Sequence, residues 1–144
     1  MGTPHECRLS KSERLHSSKT ITQLLTEGEV LFHYPFKVYF CITKIPAPEG
    51  KPPCSFAIVV PKRNFKRAVH RNLLKRRIRE SYRKNKAIIQ DTLQTHGTSL
   101  TFLLRYVSSE QITYSSIEQA IRATLEQLSK VITLDSDPPV SVAD

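Results

Sequence analysis

The sequence predicts an α+β fold, a small mixed sheet packed with helices in the order α-β-β-α-β-α. Three observations predict it. Residues 30–42 and 100–107 are rich in aromatic and β-branched residues with partial alternation. Residues 55–60 form a short apolar run that stops at Pro61. Three further segments repeat their apolar residues at helical spacing. At 144 residues and 16.5 kDa the chain is expected to bury one modest core.

The elements follow in order. Residues 1–13 are polar and are expected to form a flexible N-terminus. A single domain is expected over 14–133, with 134–144 a short, Pro-containing, disordered tail. Ser17 or Ser18 offers a cap for a first helix in which Ile21, Leu24 and Leu25 share one face, and Gly28 is a natural stop. In the strand expected over 30–42, Phe36, Val38 and Phe40 face one way, Lys37 and Tyr39 the other. Pro35 points to an edge position or a bulge. KIPAPEGKPPC, residues 44–54, reads as a connection. After the strand at 55–60, Asn64 or a neighbour opens a helix over about 66–89 with Leu74, Ile78, Tyr82 and Ile89 as its apolar stripe. Residues 91–99, which contain Gly97, read as a turn. In the strand over 100–107, Leu103 and Arg105 share a face, opposite Phe102, Leu104 and Tyr106. Ser115-x-x-Glu118 reads as a capping box for a last helix striped by Ile117, Ile121, Leu125, Leu128 and Ile132.

Charge is distributed unevenly. The formal net charge is +9. Between Pro61 and Lys86 there are 12 basic residues and one acid, Glu80, so the whole excess lies in that segment. On a helical wheel Asn72, Lys75, Arg76, Arg79 and Arg83 fall on the side away from the apolar stripe, with Arg71 near the boundary. A solvated surface helix usually interleaves acids at i,i+4, and this one does not. A one-signed face is the electrostatic footprint of a polyanion binder, because each phosphate it neutralises releases condensed counterions.

Other classes find little support. No apolar run approaches the roughly 20 residues of a spanning helix, and the N-terminal residues lack both a secretory signal and an acylation pattern. Cys7, Cys41 and Cys54 cannot all pair, which suggests a reducing cytoplasmic compartment. Five scattered histidines show no metal-ligand spacing, so no protein metal site is expected. The acids form no close pair for general acid–base work and no nucleotide loop occurs, so no catalytic residue is expected on this chain. A free nuclease would need a carboxylate cluster. A helix-turn-helix reader would need a second helix one short turn from the basic one. A structural RNA-binding protein, such as a ribosomal component, would share the basic helix.

The helix text is specific: Ala68, Arg71, Asn72, Lys75, Arg76 and Arg79 spell A-x-x-R-N-x-x-K-R-x-x-R, after a strand followed by Lys62-Arg63. This resembles the signature of the bacterial ribonuclease P protein component. Arg8-Leu9, Gly28, Phe36, Tyr39 and Ile112-Thr113-Tyr114 extend the resemblance over about residues 8–132. It implies a protein with no active site of its own. The chemistry, removal of the 5′ leader from precursor transfer RNA, would belong to the partner ribonuclease P RNA with magnesium held mainly by that RNA and the substrate. By the same resemblance Lys62, Arg63, Arg67, Arg71, Asn72, Lys75, Arg76, Arg79 and Arg83 would bind RNA. Tyr39, Ile21, Leu25 and Lys37 would line a cleft for the single-stranded leader. The resemblance also implies a left-handed β-α-β crossover, against the general rule that about 98% are right-handed. With the cysteine usage and the apolar runs above, a cytoplasmic location without a membrane is expected, and no obligate protein partner is inferred. The chain departs from relatives in four places. Ile21 and Leu25 stand where they present Phe, the first helix region is extended through HSSKTI, Tyr106 replaces an Arg with Arg105 one place off, and Leu73 takes a place often held by Arg.

Overall fold

The computed structural model describes residues 18–45 and 52–136. The elements are α1 (Ser18–Glu27), β1 (Glu29–His33), β2 (Phe36–Thr43), β3 (Cys54–Val59), α2 (Ala68–Asn85), α3 (Ala87–His96), β4 (Ser99–Tyr106) and α4 (Tyr114–Ser136). The strands form one mixed sheet in the order β1-β2-β4-β3. β1, β2 and β4 pair antiparallel. β3 lies parallel to β4, and parallel neighbours need a long connection, here filled by α2 and α3.

The two faces of the sheet are covered unequally. Phe36, Val38 and Phe40 of β2, Cys54 and Phe56 of β3, and Phe102, Leu104 and Tyr106 of β4 point to the main core. There they meet Leu74, Ile78 and Tyr82 of α2, Ile89 and Leu93 of α3, and the α4 stripe Ile117, Ile121, Leu125, Leu128 and Ile132. The expected alternation in β2 and β4 therefore holds. The opposite face carries only α1 among the described elements. Its Leu24 is buried against Tyr39 and Leu103, with Ile21, Ala57 and Val59 at the margin.

Several boundaries differ from the sequence reading, each for a local reason. The single strand expected over 30–42 is a hairpin. Tyr34 and Pro35, joined by a cis peptide bond, form a two-residue loop between His33 and Phe36, which pair directly. Pro35 has no N–H for a ladder, and its carbonyl accepts from the Val107 N–H at 2.9 Å. It therefore sits in the turn rather than in an edge strand or bulge. The helix expected over 66–89 is two, divided at Lys86, which ends α2 and caps α3. Ile89 consequently joins the core from α3. The turn expected over 91–99 is mostly helix, because Gly97 alone ends α3. Its φ of 62° is left-handed, its N–H bonds Gln94 O at 3.3 Å, and the Thr98 N–H bonds Leu93 O at 3.0 Å. That is a Schellman closure, which favours glycine. Gly97→Ala is expected to cost about 1 kcal/mol of unfolding free energy by chemical denaturation, with an unchanged m-value.

At Gly28 the reason for glycine is space. A Cβ there would lie 2.6 Å from Leu24 O, the carbonyl that closes α1. α4 opens on Thr113, whose Oγ1 accepts from the Ser116 N–H at 3.3 Å, so the capping residue is Thr113 rather than Ser115. Glu118 instead accepts a 3.2 Å bond from Asn85 Nδ2 and ties α4 to α2. α4 runs to Ser136, past the expected domain end. Ser17, the N-terminus over 1–13, residues 46–51 of the connection and the tail from 137 lie outside the described residues.

Candidate nucleic-acid interface

The basic helix is oriented by its core stripe. Leu74, Ile78, Ser81 and Tyr82 are buried, so the rest of α2 turns outward. Asn72 and Arg76 are exposed one turn apart, with Lys75, Arg79 and Arg83 half-buried beside them. Lys62, Arg63 and Arg67 are exposed on the approach from β3. Arg67 caps α2 with extended backbone and no side-chain capping hydrogen bond, and the first turn carries no acid. The uncapped first-turn N–H groups add a partial positive charge to that end.

Not every cation of the helix is equally available. Arg71 Nη1 donates to Phe65 O at 2.7 Å and to Lys66 O at 3.0 Å, so it braces the loop that delivers the chain into α2. Arg77 Nη1 donates to Ile112 O at 3.2 Å, anchoring α2 to the segment before α4. Arg83 grips Glu80 through Nε at 3.0 Å and Nη2 at 2.6 Å. That hydrogen bond holds the Glu80 carboxyl below its ordinary value, aided by the charges of Arg83 and Lys84 and opposed by desolvation. The segment's one acid is thus engaged along the helix axis. Its charge is matched locally, and Asn72, Lys75 and Arg76 belong to the outward, cationic side of α2.

The second surface is the thinly covered sheet face. The register sets its residues in rows. One row is Phe32, Lys37, Arg105 and Val59; the next is Val30, Tyr39, Leu103 and Ala57; a third is Cys41, Thr101 and Ser55. Leu24 of α1 sits over the middle row. Tyr39 is only 8% exposed there, and Lys37 Nζ lies 5.4 Å from its ring centroid. Ile21 is half-buried at the margin, and Leu25 is 44% exposed on the outer side of α1. Gln23, Leu24, Glu27, Gly28, Cys41, Thr43 and Thr101 line a cleft of ≈ 330 Å³ between α1 and the sheet. The structure therefore gathers Lys37, Tyr39 and Ile21 around α1 and the sheet, and sets Leu25 outward.

Two residues of this face do not stand out as site residues in the sequence. Alternation puts Arg105 on the correct face of its strand, but its alignment beside Lys37 is a matter of register. Phe32 is hidden when 30–42 is read as one strand. A two-residue turn at Tyr34-Pro35 is the signal that folds Phe32 back against Lys37.

A polar cluster fixes the exit from β4. Tyr106 Oη donates to Glu110 O at 2.6 Å and accepts from the Ile112 N–H at 3.3 Å. Tyr34 Oη donates to Ser108 Oγ at 3.0 Å. Burial pushes the Tyr106 phenol above its ordinary value, partly offset by the bonds to Ile112 and Ser108. Above about pH 10 the unfolded chain loses this proton before the folded one does, so stability falls as pH rises there. Tyr106→Phe is expected to flatten that alkaline decline in denaturation midpoints measured from pH 8 to 11.

Comparison with known proteins agrees with the geometry. The family model described as Ribonuclease P matches residues 9–129. The chain belongs to the ribonuclease P protein family. A ribonuclease P protein component from Porphyromonas gingivalis is 33% identical over 129 residues, covering 90% of this chain and 92% of the relative. Solved ribonuclease P proteins share the fold. One from Thermotoga maritima has a TM-score of 0.62 at 23% identity, over 80% of this chain and 96% of that one. One from Staphylococcus aureus, a mutant described as defective in mRNA degradation activity, has 0.62 at 20% identity, over 83% and 90%. In this member of the ribonuclease P protein family, the Ala68-to-Arg79 motif occupies the first three turns of α2.

Proposed function

We propose that this chain is the RNA-docking subunit of ribonuclease P. It binds the catalytic RNA through α2 and the single-stranded 5′ leader of precursor transfer RNA through the open sheet face. The almost purely cationic outer face of α2 carries this reading. Its apolar stripe is committed to the core, its acid is engaged by Arg83, and Asn72, Lys75 and Arg76 face outward. Arginine forks grip phosphate oxygens in pairs, and a row along a helix can follow a phosphodiester backbone. Asn72 adds a neutral donor and acceptor.

The chemistry is proposed to lie on the RNA. Hydrolysis of a phosphodiester with magnesium needs oxygen ligands for the ion. The α2 face offers cations, the Asn72 amide and a single carboxylate, Glu80, which Arg83 already grips; that set does not fit the ion, so magnesium is assigned to the RNA partner and substrate. Among the described residues no group of three or more His, Cys, Asp or Glu side chains is placed to hold a metal ion. The protein's contribution is electrostatic and positional: it neutralises phosphates where two RNAs meet and holds the leader. A cytoplasmic site of action goes with this role, and no described helix is long and apolar enough to cross a membrane.

Reconstitution tests the proposal. The purified chain is mixed with a bacterial ribonuclease P RNA and a leader-bearing precursor at low magnesium. Faster leader removal, and tighter binding of leader-bearing than of mature transfer RNA, is the expected result. RNA binding without stimulation would favour a purely structural RNA-binding role. Cleavage by the protein after complete removal of RNA would overturn the assignment of chemistry.

A further inference from the structure

The outermost row of the open sheet face has an unusual composition. Phe32 lies on the edge strand β1, directly opposite Lys37, and Lys37 lies directly opposite Arg105. Phe32 is 59% exposed, although its neighbours in sequence, Leu31 and His33, are half-buried. α1 does not shelter it: Leu24 packs on the next row, against Tyr39 and Leu103. The row therefore sets a bare aromatic face about one strand spacing, ~5 Å, from an ammonium and about two from a guanidinium, with no acid in the row.

We infer that Phe32 is a base-stacking platform for single-stranded RNA, with Lys37 and Arg105 holding the adjoining phosphates. The inference rests on the leader-binding reading of this face and extends it onto β1. An aromatic beside a cationic track is the recurrent means of holding single strands, because any base has a π-face and every linkage carries a charge. A protein partner fits less well, since interface cores are depleted in lysine, whereas here Lys37 stands at the centre of the row. Tyr39 is a poorer platform, because α1 and the Lys37 side chain already cover its ring.

The test uses the full chain assembled with ribonuclease P RNA. Binding is measured for precursors with and without a leader, one leader base being replaced in turn by the fluorescent analogue 2-aminopurine. Phe32→Ala and Phe32→Leu are both expected to weaken leader-bearing precursor about tenfold. Both should relieve quenching of the analogue at one leader position and leave leaderless transfer RNA unchanged. Phe32→Tyr is expected to retain affinity and quenching. Because the side chain is exposed, none of these changes should alter folding, which circular dichroism would check.

If Phe32→Leu kept full affinity and quenching, bulk rather than stacking would be at work and the inference would fail. Equal weakening of leader-bearing and leaderless RNA would also overturn it, as would a parent chain that sediments as a dimer and a Phe32→Ala variant that sediments as a monomer, which would mark the row as a contact between copies. Lys37→Ala separates the two levels. If Lys37→Ala selectively weakens leader binding while Phe32→Ala does not, the cleft stands and Phe32 leaves it. If neither discriminates leader from no leader, the cleft reading itself falls.

Discussion

Replacing Arg76 with alanine is expected to weaken assembly with ribonuclease P RNA about tenfold at 0.15 M salt, and replacing it with glutamate about a hundredfold. A hydrogen bond to a charged group contributes about 1.5–3 kcal/mol, and about 1.4 kcal/mol is a factor of ten. Arg76 is exposed on α2, one turn from Asn72 and clear of the core stripe. Its removal should leave the unfolding midpoint unchanged. The diagnostic quantity is the dependence of log K on log salt, which should become shallower by about one unit for each phosphate no longer neutralised. Arg77 is the internal control. Its guanidinium is anchored on the Ile112 carbonyl, so Arg77→Ala should lower stability with little change in salt slope. Arg71→Ala should move both, because that side chain braces the Phe65 and Lys66 carbonyls beside the proposed RNA track. An unchanged salt slope for Arg76→Ala would mean that this guanidinium grips no phosphate.

That contrast shows what a linear sequence conveys about such a surface. Charge sign and helical period place Arg71, Arg76 and Arg77 on one segment, and all three read as cations. The carbonyls that engage Arg71 and Arg77 belong to a loop and to a segment 35 residues away in sequence. Periodicity carries no information about such partners. The same limit applies to the sheet. Alternation correctly separates Phe36, Val38 and Phe40 from Lys37 and Tyr39, because a strand's pleat is local. The hairpin at Tyr34-Pro35 escapes the pattern because two short β-rich runs joined by two residues look like one long run. Without the turn Phe32 stays concealed, since its relation to Lys37 exists only across the hairpin. Gly97 is a related case. Glycine signals an end, but whether a turn or a helix precedes it depends on Ile89 and Leu93 finding the core.

Replacing Phe102 with alanine is expected to have the largest effect on stability, about 3–5 kcal/mol. Phe102 lies on a central strand, fully buried between β2 and β3 and beneath α2. Its ring is stacked on Phe56 with centroids 5.6 Å apart, and lies 6.1 Å from the Tyr82 ring of α2. Phe56 and Tyr82 approach to 4.4 Å. The three rings join the parallel strand pair to the helix that carries the cations. A cavity there loses the buried area of one ring and also the packing of the other two, since neighbours close such a void only in part. At roughly 3 °C per kcal/mol for a chain of this size, the melting temperature should fall by about 10 °C or more. The effect on RNA binding should be of a different kind. At a temperature where the variant remains folded, its salt slope should match that of the parent, because no cation has been removed. A shallower slope in folded Phe102→Ala protein would instead mean that the aromatic cluster sets the alignment of the α2 cations.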